Sequence, residues 1–144
     1  MSFICEVGGG TAGQYFQIYC PNTRPRDISL EKHCKEIQGN EVLIAVYNEP
    51  ALLQRFVPFG DTIGGDILGW DPATQRGRTR LEYDIVVLPR DARQSLVLAN
   101  TFSDFVKNCI FGRRFEELVC GGVDRNHQPS WEYQRFTIRK PAAK

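Results

Sequence analysis

Residues 56–72, FVPFGDTIGGDILGWDP, and residues 81–89, LEYDIVVLP, decide the fold. In the first stretch, aromatic and branched residues flank a cluster of Asp, Thr and Gly. That pattern predicts two short strands, 55–59 and 66–70, folded about the turn DTIGG. The second stretch is a run of β-branched and aliphatic residues stopped by Pro89, and it predicts a strand over 81–88. The centre of the chain is therefore a β-hairpin with a third strand close by in sequence. The polar, basic stretch 72–80, PATQRGRTR, reads as the loop between them.

Working outward, YFQIYC (15–20) predicts a strand closed by Pro21, and SLVLA (95–99) a short last strand. VLIAVY (42–47) is a continuous apolar run of strand length and predicts a strand buried on both faces. Two helices are expected. The first covers 28–38, with Asp27 as its cap and Leu30, Cys34 and Ile37 at i, i+4, i+7; Gly39-Asn40 ends it. The second covers 101–119 and opens with Thr101-x-x-Asp104. It carries Phe102, Phe105, Val106, Cys109 and Ile110 on one face, with a kink at Gly112. The expected fold class is α+β, a single mixed, mainly antiparallel sheet packed by helices. Its predicted core holds Phe16, Ile18, Val46, Phe59, Trp70, Ile85, Val87, Phe102 and Phe105.

Composition bounds the function classes. A chain of 144 residues, 42% hydrophobic and 24% charged, is one domain and too apolar to be disordered throughout. Eighteen basic residues against 17 acidic give no reason to expect direct nucleic-acid binding. No apolar run approaches the roughly 18 residues of a membrane span, and the start, MSFICEVGGG, lacks a basic n-region. A cytoplasmic domain is the expectation. After Cys120-Gly121-Gly122 the tail holds five basic and two acidic residues, net +3, which leaves −2 for the rest of a chain whose total is +1. Residues 122–144 are thus expected as a basic extension to a 1–121 domain, with a strand pattern at 131–139.

Few residues invite chemistry. Gly8 to Gly13 satisfies G-x-G-x-x-G, but YFQIYC follows where a dinucleotide site needs a helix, so the run reads as a glycine turn. Asp61, Asp66 and Asp71 lie among Gly60, Gly64, Gly65 and Gly69. Three readings stand side by side: Asp bonding its own turn, an acidic edge facing a partner, and a Ca²⁺ site. Five cysteines, Cys5, Cys20, Cys34, Cys109 and Cys120, form an odd set without C-x-x-C and read as small core residues. His33 and Cys34 are adjacent on a helix and point about 100° apart, which does not make a nucleophilic pair. Cys109 lies on an apolar helix face that raises its thiol pKa, and His127 lies in the tail. Arg76, Arg78 and Arg80 alternate in one loop and Arg113-Arg114 follow a glycine; such clusters can grip phosphates or carboxylates, but a solvated loop is the commoner explanation. No catalytic residue, metal or cofactor is assigned, and no enzyme activity is expected.

The order of the pieces resembles a known family. GGGTAGQYFQIYCP, FVPFGDTIGGDILGWDP and ANTFSDFVKNCI occur in the order of three signatures of the SUKH superfamily, the Smi/Knr-type domains, and cover residues 8–118. Members carry one or two helices and an L-P motif before the glycine pair. Here seven residues precede Gly8, which implies a late start or a shortened variant. The resemblance implies a mainly antiparallel sheet with helices on one side and a protein-binding module without catalytic residues. Many bacterial members act as immunity proteins against polymorphic toxins, often nucleases, and fungal relatives act in cell-wall regulation. The expectation is a non-enzymatic immunity-type domain whose partner contacts Asp61, Asp66 and Asp71. A regulatory or scaffolding protein of the fungal type is the first alternative and a small intracellular enzyme the second.

Overall fold

The computed structural model describes residues 10–12, 15–19, 30–76, 82–90, 94–112, 114 and 137–138. They form an α+β fold built on one sheet. Its strands are β1 (Gly10–Ala12), β2 (Phe16–Ile18), β3 (Val57–Thr62), β4 (Ile67–Arg76), β5 (Glu82–Leu88), β6 (Leu96–Ala99) and β7 (Thr137–Ile138). The strand order is β6-β5-β4-β3-β2-β1-β7, and every described ladder is antiparallel. The helices are α1 (Leu30–Ile37), α2 (Glu41–Tyr47), α3 (Pro50–Arg55) and α4 (Phe102–Phe105), the last continuing as a π-turn over Val106–Ile110.

Alternation along β5 sends Ile85 and Val87 into one cluster and Val86 and Leu88 into another. The first cluster packs Phe16, Ile18, Phe59, Leu68 and Leu98 against Phe105, Cys109 and Ile110 of the closing helix. The second packs Ile37, Tyr47, Leu52, Leu53 and Phe56 from α1, α2, α3 and the residue after α3. Helices therefore cover both faces of the sheet, where the resemblance implied one.

Three expectations are corrected. VLIAVY is helix α2, not a strand. The Asn40 side chain accepts hydrogen bonds from Val42 N at 3.0 Å and Leu43 N at 3.1 Å, and so starts a new helix where the pair Gly39-Asn40 was expected only to end one. Asn48, left-handed at φ 53°, closes it, and Pro50 opens α3 at once. As a consequence Val46 is 43% exposed rather than core. Second, β4 runs through the expected loop as far as Arg76. Pro72 sits where the β4–β5 register shifts between Asp71 and Arg76, which is where a strand tolerates proline. Side chains replace ladder bonds there: Thr74 Oγ1 donates to Asp71 O and accepts from Asp84 N, both at 2.8 Å. Third, Gly10 belongs to strand β1, which pairs with β2, rather than to a turn. Of the remaining core expectations, Phe16, Ile18, Phe59, Ile85, Val87 and Phe105 are buried, while Trp70 and Phe102 are partly buried. The expected second half of the closing helix, 115–119, lies outside the described residues, as do Gly8, Gly9, Gly13, Arg78, Arg80, Cys5, Cys20, Cys120 and His127.

At the β6 edge, Leu98 falls in a bulge between the pairs Val86–Val97 and Ile85–Ala99. Arg114 Nε donates to Leu98 O at 2.7 Å across this edge.

Candidate functional site

The β3–β4 hairpin ends in a turn held from every side. Thr62 N donates to Asp66 O and Gly65 N to Thr62 O, each at 2.9 Å. Thr62 Oγ1 donates to Asp66 Oδ2 at 2.5 Å, and Arg90 N donates to Asp66 Oδ1 at 3.1 Å. One carboxylate thus ties the turn to itself and to the residue after Pro89. Gly65 has φ +92°, and a Cβ there would stand 3.1 Å from Arg90 Cδ, so the Arg90 methylenes lie across it. Ile63 N donates to Tyr15 O at 3.0 Å, which fixes the tip against the segment before β2. The Ile63 side chain, at the apex, is 76% exposed.

The three aspartates have three separate roles. Asp66 is buried and holds the turn. Asp71 is buried and paired with Arg55, whose Nη2 reaches Asp71 Oδ2 at 2.8 Å. The Arg55 guanidinium holds the Asp71 carboxyl below its ordinary range, against the opposing effect of burial. Asp61 is half-buried and accepts from the Tyr19 hydroxyl at 2.8 Å. Burial, then the Asp61 charge, pushes the Tyr19 phenol far above its ordinary value. The Tyr19 ring also stacks on His33 with centroids 4.0 Å apart, and His33 Nδ1 lies 3.2 Å from Glu36 Oε2. Register places Asp61 opposite Ile67, while Asp71 lies four residues farther along β4, about 13 Å away. The expected acidic edge is therefore not one surface: two of its carboxylates work inside the fold.

Among the described residues no three His, Cys, Asp or Glu side chains gather to hold a metal. The two described cysteines are free thiols. Burial pushes Cys109 up to about 11 although Arg114 opposes the shift, and burial followed by the Glu31 charge raises Cys34. Both shifts leave a protonated, weakly nucleophilic sulfur near neutral pH.

Sequence reasoning did not single out the exposed apex residue Ile63. The usable signal was an apolar β-branched residue standing alone inside D-T-I-G-G-D, a turn composition that otherwise excludes it. Comparison with known proteins gave no match: no family model fits the chain, and no curated protein and no solved structure aligns with it.

Proposed function

We propose that this chain is a non-enzymatic protein-binding domain, of the kind that neutralises a toxin by stoichiometric binding, and that the β3–β4 tip is its contact. The observation that carries the reading is Ile63, 76% exposed on a turn pinned by backbone bonds at Thr62, Ile63, Gly65 and Asp66 and by both oxygens of the Asp66 carboxylate. An apolar side chain on a pre-ordered support loses little conformational entropy when a partner covers it. An anchor of this kind contributes where a partner pocket desolvates it fully. Of the acidic trio only Asp61 stays half exposed, so steering toward a basic, nuclease-type partner rests on that carboxylate.

The test is co-purification with the product of the neighbouring gene, followed by association and dissociation kinetics. Ile63→Asp is expected to speed dissociation about tenfold or more with little change in association. Asp61→Asn is expected to slow association at low salt by a smaller factor. A chain that forms no stoichiometric complex, or whose complex is indifferent to Ile63→Asp, overturns the assignment.

A further inference from the structure

The closing helix changes pitch half-way. Phe102–Phe105 is α-helical and Val106–Ile110 is a π-turn. The Phe111 N–H reaches back five residues, to Val106 O at 3.0 Å. Phe111 is left 61% exposed, although Cys109 and Ile110 beside it are buried. A Cβ at Gly112 would stand 2.5 Å from Asn108 O, so the chain leaves this wide turn only through glycine. π-Turns are rare and concentrate at functional sites.

Here the turn borders a shallow groove of about 370 Å³ lined by Phe102, Ser103, Val106, Lys107 and Phe111. Three of the lining side chains are apolar and one is cationic. The nearest acid on the helix, Asp104, is held by the Thr101 hydroxyl at 2.9 Å. Among the described residues Lys107 makes no ion pair.

The geometry points to this groove as the seat for a partner polypeptide that brings a bulky apolar side chain next to a carboxylate. The apolar group covers Phe102, Val106 and Phe111, and the carboxylate neutralises Lys107 at the rim. A polypeptide fits better than a free small molecule, because sites for the latter enclose most of the ligand and this groove is shallow. None of these lining residues belongs to the Ile63 tip, and the inference goes beyond that reading without depending on it.

The test is a titration of the ¹⁵N-labelled full chain with the peptide acetyl-Glu-Leu-Phe-Glu-amide, followed by amide shifts. Saturable changes centred on residues 102–112 are expected, with the charge-inverted peptide acetyl-Lys-Leu-Phe-Lys-amide binding about fivefold or more weakly at low salt. Lys107→Glu should reverse that preference, and Phe111→Ser should abolish the response; both side chains are exposed, so both variants keep the dispersed spectrum of the fold. No saturable change at 102–112 overturns the proposal, as does equal binding of the two peptides in the native chain. 4-Phenylbutanoate binding as tightly as the acidic peptide overturns the polypeptide assignment.

Discussion

The two faces of the sheet are closed by different means. On one, among the described residues, a single helix seats itself on interlocked rings. Phe59 has Trp70 at 4.5 Å, Phe105 at 5.5 Å and Phe102 at 5.6 Å between centroids, and Phe16 meets Phe105 edge-on at 6.1 Å. On the other, three helices of 8, 7 and 6 residues lay down a mostly aliphatic layer. None of these helices is long enough to persist alone in water. The aromatic face takes its order from ring-to-ring contact. The aliphatic face takes it from the residues that start and stop each turn: Asn40, Asn48 and Pro50.

That contrast can be broken first in the aromatic layer. Phe105→Ala should cost about 3–5 kcal/mol in urea unfolding, and a loss under about 1 kcal/mol would show that the closing helix does not pack as described. The double change with Phe59→Ala should show coupling of about 0.5–1.5 kcal/mol, the part of the ring contact that area alone does not supply. On the aliphatic face the corresponding cut is a cap. Asn40→Ala should cost about 1 kcal/mol, because Val42 and Leu43 lose their shared acceptor, and the loss should appear as exchange of the α2 amides. If Asn40→Ala were neutral, the aliphatic face would also be held by packing alone.

A smaller effect concerns Asp71 and Arg55. The native carboxyl titrates below its unfolded value, so its contribution is complete above about pH 4 and is lost as pH falls through the lower native pKa. Arg55→Ala should flatten the acid limb of a stability-versus-pH curve. The Arg55 side chain is 38% exposed, so the pair contributes on the order of 0–1 kcal/mol. An unchanged acid limb would remove the pair from the account. Smallest of all, Val46→Ser should move stability by about 0.5 kcal/mol or less, since Val46 lies on the outer side of α2.

The aromatic face was the legible one. Phe102 and Phe105 recur at helical spacing beside strands whose apolar residues alternate or run together, so local pattern and final packing agree. The aliphatic face was less so, because six apolar residues in a row satisfy a buried strand as well as a helix. The arbiter was Asn40, a residue that can finish one helix or begin another. The acidic trio misled in a related way. Spacing shows that carboxylates sit near turns, but whether Asp66 faces outward depends on Thr62 and the Arg90 N–H, and the latter arrives from 24 residues away. Neither the Ile63 apex nor the Phe111 groove has a periodic signature; each follows from how a turn closes.

The bulge at Leu98 and the guanidinium across it bear on behaviour at high concentration. A bare β6 edge would offer its backbone to any extended segment, including the same strand of another molecule. With Arg114 occupying the Leu98 carbonyl, growth of the sheet by strand addition has to displace a charge-assisted hydrogen bond inside an irregular register. Arg114→Ala is expected to free the Leu98 carbonyl and, with it, one point at which a strand could be added, read as faster aggregation at high concentration.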